Sequence, residues 1–338
     1  REEILTNTYD NIIMPAYNQF DDKLSILEYN TNEFIENVNE QNLNSLRSSW
    51  VEAYKNWQTI EMFDLRKAEE IIYARVSNSY PCVEEKVLNN INDSVAEIMS
   101  FSASMLGATG FPTIGYLIYG NDSSSIITNF NGNNAQKYSA YLNALVQNLV
   151  ENTDKVLEDW GSARADFVNS TANTQTSSLN ILVNDFVYYL EKKIRTAKIG
   201  NPIDFFGTMQ PKPELVESYY KPDICKSLVV EAMNSVKMLY KGSSFDGTQQ
   251  GIGLEDYLNH LDNSEELITT INNQFEDIDN KINLLENDFI LELNIHGKDR
   301  LQELFLSMQN LVIYFKIDMM SDRFGITPDY EDNDGDGG

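Results

Sequence analysis

Histidine and cysteine, on which most metal sites and many nucleophilic enzymes depend, are nearly missing from this chain of 338 residues. It has two histidines, His260 and His296, and two cysteines, Cys82 and Cys225. A His-x-x-x-His zinc site, a Ser-His-Asp triad or a supported Cys-His pair is therefore hard to assemble. His260 follows a helical stripe and His296 precedes a glycine, which favours surface or capping roles. Two cysteines exclude a disulfide framework and leave the redox compartment open.

Long apolar runs and an excess of basic residues are also absent. No run approaches the ~18 residues of a bilayer-spanning helix. The 25 Lys and Arg face 52 Asp and Glu, for a net charge of −27. Such a surface repels phosphate backbones, so we expect no nucleic acid partner. The charge favours cations or basic ligands, although a solvated acidic surface explains it equally simply.

Helical periodicity is what the sequence does contain. Between residues 43 and 63, Leu46, Trp50, Trp57 and Ile60 belong to one apolar stripe with spacings of three and four. Similar stripes occupy residues 2–29, 135–160, 178–198, 225–240, 264–291 and 298–324. Strand-type alternation is rare, so we predict an all-α fold built of helical bundles.

A polar segment near the middle of the chain predicts two domains. Residues 169–177 are rich in Asn, Ser, Thr and Gln and poor in apolar residues, which is typical of a linker. We therefore predict an N-terminal helical bundle over residues 1–168 and a C-terminal bundle over 178–328. Residues 329–338 form an acidic tail. Part of that tail, Asp332 to Asp336, begins like a calcium loop but ends before the bidentate Glu, so a flexible tail is favoured over tight calcium binding.

A short internal similarity predicts that the two halves arose by duplication. Residues 110–117, Gly-Phe-Pro-Thr-Ile-Gly-Tyr-Leu, resemble residues 251–258, Gly-Ile-Gly-Leu-Glu-Asp-Tyr-Leu, and share three identities. Cys82 and Cys225 precede the two segments by 28 and 26 residues. The alignment makes Asp256 the counterpart of Gly115.

Charged residues on otherwise apolar stripes are the first candidates for a site. Glu61 lies on the stripe of residues 43–63, and a carboxylate there needs a partner or a wet cleft, because an unpaired buried charge is costly. Arg66 follows at helical spacing, and a surface ion pair of Glu61 with Arg66 or Lys67 is the alternative. Arg195 and Lys198 end a predicted helix, where the simpler role is capping of exposed carbonyls. Residues 204–220 form a loop whose aromatic side chains are expected to pack against helices.

Taken in order, these segments resemble the imelysin-like family, in the form common among Bacteroidetes. The matching segments are Trp57-x-x-x-Glu61-x-Phe63, residues 110–120, residues 195–202, Pro211-x-Pro213-x-x-Val216-Glu217-x-x-Tyr220, Gly251-x-x-x-x-Asp256-Tyr257-Leu258, and Asp318-Met319 through Gly325 to residues 332–336. The resemblance implies two similar helical bundles side by side with a site in the groove between them. It also implies export to the periplasm or a lipoprotein anchor at the cell surface, and an association with iron acquisition.

The motif behind the peptidase label of some relatives has lost its reactive groups here. That motif is Gly-x-His-x-x-Glu, and the corresponding residues are 110–115. Pro112 replaces the histidine and Gly115 replaces the glutamate, so neither an imidazole for a metal nor a carboxylate base remains. Metal-assisted hydrolysis at this motif is disfavoured.

We therefore predict a non-catalytic binding protein of the cell envelope, whose groove engages an iron-containing ligand or a partner in iron uptake. The candidate ligand-binding residues are Glu61, Arg66, Pro112, Gly115, Tyr116, Arg195, Asp256 and Tyr257. Carboxylates, guanidinium groups and phenols bind hard cations and polar organic groups. We assign no residue to catalysis or to metal binding. If the protein has a cofactor, we expect iron or another cation. A signal segment absent from this sequence and a lipid anchor would place the protein peripherally on a membrane.

Two alternatives stay open at this point. One is a metallopeptidase-like hydrolase that uses carboxylates outside the lost motif. Carboxylates that converge in one pocket with a metal would support it. The other is an interaction scaffold with a vestigial cleft. An exposed apolar patch of more than about 400 Å² away from the groove would support it.

Overall fold

The computed structural model describes residues 1–93 and 103–330, and the calcium-like pattern of the tail lies outside the described residues. The regular elements within these ranges are helices, apart from one isolated antiparallel bridge between Ser243 and Gln250. The all-α prediction is confirmed. In the described part of the chain, no helix has both the length and the hydrophobicity that crossing a membrane requires.

The first half is built around three long helices. Its helices are α1 (Glu2–Asn7), π1 (Thr8–Ile13), α2 (Met14–Glu36), α3 (Glu40–Ile60), α4 (Lys67–Glu70), α5 (Tyr73–Ser77), α6 (Glu84–Asn92), a 3₁₀ turn (Ala103–Met105), α7 (Gly110–Tyr119), α8 (Ser123–Asn131) and α9 (Ala135–Asn169). α2 packs between α3 and α9. The side chain of Asn39 starts α3 by accepting a hydrogen bond from the N–H of Asn42 at 2.9 Å.

The second half repeats the use of long helices but includes two π-helical segments. Its helices are α10 (Ser178–Tyr188), π2 (Tyr189–Gly200), 3₁₀ turns (Pro213–Leu215 and Pro222–Ile224), α11 (Cys225–Lys241), α12 (Leu254–Asn259), α13 (Glu265–Leu284), α14 (Phe289–His296), α15 (Asp299–Ile313) and π3 (Tyr314–Arg323). α15 packs against both π2 and α13. The segment π2 carries Lys193 and Lys198, two charged residues of the site described below.

The two halves meet along α3 and α11, which pack against each other. The hydroxyl groups of Tyr189 and Ser235, both from the second half, donate hydrogen bonds to the carbonyl of Gln58 in α3 at 3.0 and 3.2 Å. Buried apolar side chains of both halves form one continuous cluster. Residues 170–177 are irregular, and the repeated segments each open a helix, α7 and α12. The division into two domains and the duplication remain predictions.

Two predicted helices are shorter than their apolar stripes. The helix predicted over residues 43–63 ends at Ile60, and the one predicted over 264–291 ends at Leu284. A new helix, α14, then begins because the side chain of Asp288 caps it, accepting from the N–H of Leu291 at 2.9 Å. The three π segments were not predicted, since an apolar stripe with spacings of three and four continues through a widened turn.

Candidate functional site

Four buried polar residues meet where the two halves join. Glu61 directly follows α3, Asn78 follows α5, Lys198 lies on π2, and Glu217 lies in the loop after the 3₁₀ turn Pro213–Leu215. Each of the four is at most 7% exposed. We call these four residues the seam cluster.

The seam cluster contains more negative than positive charge. Lys198 Nζ donates to Glu217 Oε1 at 2.6 Å and lies 3.8 Å from Glu61 Oε2. Asn78 Nδ2 donates to Glu217 Oε1 at 2.8 Å and to Glu61 Oε1 at 3.2 Å. The Oε2 atoms of both glutamates are buried without a hydrogen-bond partner. Two carboxylates thus share one ammonium group, an arrangement that is costly unless a further group satisfies it.

The hydroxyl of Tyr54 and the side-chain amide of Gln58 orient the seam cluster. Tyr54 donates from its hydroxyl to Asn78 Oδ1 at 2.6 Å, so the amide must direct its NH₂ group at the carboxylates. Gln58 Nε2 adds a hydrogen bond to Glu217 Oε1 at 3.1 Å. Burial, reinforced by the charges of Glu217 and Glu61, raises the pKa of Tyr54 well above its ordinary value. Its hydroxyl therefore stays a neutral donor.

Two cavities open beside the seam cluster and share Glu61 and Lys193 as wall residues. The first, which we call the basic cavity, has a volume of about 230 Å³. It is lined by Glu61, Arg75, Asn78, Ser79, Tyr80, Lys193, Ala197, Lys198 and Asn201. The second, the acidic cavity, has a volume of about 340 Å³. It is lined by Glu61, Met62, Asp64, Glu69, Asp185, Tyr188, Tyr189, Lys193, Asp329 and Tyr330.

The two cavities have opposite charge. Three cationic side chains but only one carboxylate line the basic cavity, whereas five carboxylates and one cation line the acidic cavity. A depression of about 960 Å³ lies between α2 and α3, and one of about 610 Å³ lies between α3 and α11, at another part of the junction of the two halves. The charged residues of the first, such as Lys23 and Glu52, remain solvent-accessible. Buried, incompletely paired charge distinguishes the seam cluster from the first of these depressions.

Asp185, in the wall of the acidic cavity, holds its proton near neutral pH. Burial, reinforced by the charges of Asp64, Asp329 and Glu69, raises the pKa of Asp185 to about 8. Burial also raises the pKa of Asp64, while the nearby Lys193 lowers it. A cation that entered this cavity would replace the proton of Asp185, because carboxylates bind metals in their deprotonated form.

The raised pKa of Asp185 predicts that the free energy of unfolding depends on pH. Its folded pKa of about 8 exceeds the value of roughly 3.9 in an unfolded chain, so the folded state binds the proton more tightly. The resulting stability is present at low pH and is lost as the pH rises towards 8. Between pH 5 and 8 the wild type should therefore lose more unfolding free energy than Asp185→Asn in urea denaturation. Asp166→Asn, at an exposed position of α9, should follow the wild type. If the free energy of unfolding changed with pH in the same way for the wild type and Asp185→Asn, the raised pKa of Asp185 would be contradicted.

Of the eight residues singled out from the sequence, Glu61 lines both cavities, and Arg66 lies elsewhere. The chain leaves α3 before Arg66, which has a backbone φ of 60°. Its guanidinium forms a two-point ion pair with Asp159, at 2.8 and 3.2 Å. The expected helical spacing of Glu61 and Arg66 was wrong because α3 ends at Ile60. Lys67 pairs with Glu70 instead of Glu61.

The segment corresponding to the lost motif is packed into the core. Pro112 and Gly115 are buried in α7, and Tyr116 is half-buried with its ring 5.1 Å from that of Tyr220. A Cβ atom on Gly115 would lie 2.9 Å from Cζ2 of Trp50. The ring of Trp50 thus occupies the space that a glutamate at position 115 would need.

Arg195 is buried on π2 rather than placed at a helix end. Its guanidinium carbon lies 5.1 Å from the ring centre of Phe305 and 5.9 Å from that of Phe206. The stacked rings of Phe205 and Phe305, 3.8 Å apart, confirm that the loop aromatics pack against helices. Lys198 lies in the last turn of π2 as expected, but its buried ammonium pairs with Glu217 instead of standing exposed at the helix end, and Arg195 is buried one turn earlier.

Asp256 stabilises the start of α12, and Tyr257 contacts the first residue of the chain, Arg1. Asp256 Oδ2 accepts from the N–H of Gly253 at 2.9 Å, which caps α12. The hydroxyl of Tyr257 accepts from Arg1 Nε at 3.2 Å, and its ring lies 4.7 Å from that of Phe324. Neither residue lines the basic or the acidic cavity.

Several residues of the site were not predicted from the sequence. Asp185 interrupts an apolar stretch of α10, the same signal that identified Glu61, and could have been found in that way. Asn78, Lys193 and Glu217 carry no such signal, because they lie in loops or on a helix whose turns widen. The predicted tail also contributes: Tyr330 lines the acidic cavity and donates to Glu191 Oε2 at 2.7 Å.

Comparison with known proteins agrees with this fold. The family model described as Imelysin, which carries the label peptidase M75, matches residues 13–310. An imelysin-like protein from Psychrobacter arcticum 273-4 is similar in structure, with a TM-score of 0.73, 15% identity, and coverage of 97% of this chain and 96% of that one. A protein described as an iron-regulated protein A precursor from Parabacteroides distasonis ATCC 8503 has a TM-score of 0.73, 14% identity, and coverage of 93% and 94%. No curated protein sequence matches.

Proposed function

This chain belongs to the imelysin family, and from that premise we propose that it is a non-catalytic binding protein of the cell envelope that takes part in iron uptake. Its ligand is an iron-containing species held at the seam between the two halves. The observation that carries the proposal is Glu61, which is 5% exposed, has an Oε2 atom without a hydrogen-bond partner and forms a wall of both cavities.

The opposite charges of the cavities suit a ligand that contains both a cation and an acidic chelator. Ferric iron is a hard cation that prefers oxygen ligands, and the carboxylates of the acidic cavity supply them. Arg75, Lys193 and Lys198 of the basic cavity would pair with carboxylate groups of the chelator. The structural neighbour described as iron-regulated supports iron as the metal.

The envelope location rests on two supports. The resemblance to the imelysin-like family implies export, and the neighbour from Parabacteroides distasonis is described as a precursor. A signal segment and a lipid anchor would attach the protein peripherally to a membrane. Fractionation of cells expressing the full gene should find the protein in the envelope, and recovery in the cytosol alone would overturn this part of the proposal.

Binding of ferric citrate tests the site. In equilibrium dialysis, the wild type should bind one equivalent, and Glu61→Gln, which keeps the size of the side chain, should bind at least ~10-fold more weakly, since one lost charged contact is worth about 1.5–3 kcal/mol. Glu255→Gln is the control, because Glu255 is half-buried and likewise accepts from a lysine, Lys241, at 2.6 Å, but lines neither cavity. Equal binding by the wild type and Glu61→Gln would place the ligand elsewhere.

A hydrolase is the second candidate, and the pKa of Asp185 favours it. A carboxyl group with a pKa of about 8 beside Asp64 can exchange protons near neutral pH, as general acids and bases do. Against it stands the packing of Gly115 on Trp50, which leaves no room to rebuild the peptidase motif. Peptide cleavage by the wild type that Asp185→Asn abolishes would establish the enzyme; no cleavage by either protein supports the binding role.

A further inference from the structure

Three potential metal ligands converge in the second half, outside the seam. Glu286, Glu292 and His296 each offer one ligand atom, and these atoms lie within 4.8 Å of one another. Glu292 and His296 are four residues apart on α14, which places them on the same face of the helix. Glu286 lies in the connection between α13 and α14, and its backbone N–H donates to Glu292 Oε2 at 2.8 Å.

Glu292 supplies an independent sign that a ligand is required. It is fully buried, yet its Oε1 atom has no hydrogen-bond partner. The nearest cation, Arg300, lies 3.8 Å from the other oxygen, Oε2. A buried carboxylate oxygen without a donor is costly, and a metal ion would satisfy it.

We propose that Glu286, Glu292 and His296 bind one divalent transition-metal ion. One imidazole and two carboxylates are ligands that Zn²⁺, Mn²⁺ and Co²⁺ accept, with water in the remaining positions. Nε2 of His296 is already 3.6 Å from Oε1 of Glu286, close to the separation of about 3.4 Å between ligands of one ion. Both side chains are half-buried, so small rotations bring them together. The ion would fix α14 to the connection that precedes it.

Cobalt is the probe because its visible absorption reports coordination by protein ligands. Titration with Co²⁺, in excess Mg²⁺ to occupy sites made of carboxylates alone, should saturate at one ion per chain. Glu286→Gln and His296→Gln should weaken binding at least 10-fold. The control is His260→Gln, which removes the second histidine at an exposed position and should bind like the wild type. A 100-fold excess of Zn²⁺ over its Kd should raise the Tm of the wild type by about 4 °C but not that of His296→Gln.

The outcomes separate this site from the seam. Absence of a one-to-one Co²⁺ spectrum in the wild type overturns the proposal, as does unchanged binding by His296→Gln with a native circular dichroism spectrum. Glu292→Gln is not used as the primary variant, since substitution of a fully buried residue can prevent folding. Glu61→Gln should bind Co²⁺ at Glu286, Glu292 and His296 as the wild type does. A failure of ferric citrate to bind at the seam would therefore not affect the Co²⁺ result.

Discussion

Replacement of Lys198 by Met is expected to lower the free energy of unfolding by about 3–5 kcal/mol, because it leaves buried carboxylates without their counter-ion. Lys198 is 2% exposed, and its ammonium is the cation within 4 Å of Glu61 and Glu217 in the seam cluster. Urea denaturation followed by circular dichroism measures the change. The double variant Lys198→Met/Glu217→Gln should recover part of the loss, since it removes one of the two unpaired charges.

An exposed ion pair of similar geometry is the control. Lys212 lies 2.7 Å from Asp204, but 43% of its side chain is exposed. Lys212→Met should therefore cost less than about 1 kcal/mol. If Lys198→Met cost no more than Lys212→Met, the seam cluster would be hydrated in solution, and the argument from its buried charge would fail.

Substitution of Gly110 by Ala should cost at least ~3 kcal/mol or prevent folding. Gly110 begins α7 with a φ of 70°, a conformation that side chains disfavour. A Cβ atom there would lie 2.1 Å from the carbonyl oxygen of Ser77. That oxygen belongs to the backbone just before Asn78, so the clash would also displace the seam cluster. Thermal unfolding of the two proteins measures the effect.

Gly161 provides the matched control for the glycine substitution. It lies within α9, and no atom lies within 4 Å of a Cβ built there. Gly161→Ala should stabilise the protein by about 0.5–1 kcal/mol, because alanine favours the helix over glycine. A similar loss in both variants would show that the tight approach of Gly110 to Ser77 is absent in solution.

The sequence predicted the helical architecture well because the apolar stripes are long. The starts at Ala135, Ser178 and Cys225 agree with the structure, since each follows a polar or turn-rich segment. The C-terminal ends of the helices were predicted less well. The stripe through residue 63 did not reveal that α3 ends at Ile60, because the next apolar residues, Met62 and Phe63, are buried from a non-helical segment.

The site was predictable only in part, for a physical reason. Glu61 was identified because a carboxylate on an apolar stripe must meet a partner or a cavity. Its partners, Asn78, Lys198 and Glu217, come from segments 17, 137 and 156 residues further along the chain. Nothing in their local sequence encodes that meeting, which depends on the tertiary packing of α11 against both α3 and π2. Asp256, chosen from the internal similarity, proved to cap a helix.

The most direct test is native mass spectrometry with elemental analysis of protein purified from its own envelope, for the wild type, Glu61→Gln and His296→Gln. We expect one iron atom per chain, together with the mass of an acidic chelator, in the wild type and in His296→Gln. Glu61→Gln should lack both. An apo spectrum for the wild type, or equal iron in all three proteins, would contradict a ligand held at the seam and favour a scaffold with a vestigial cleft.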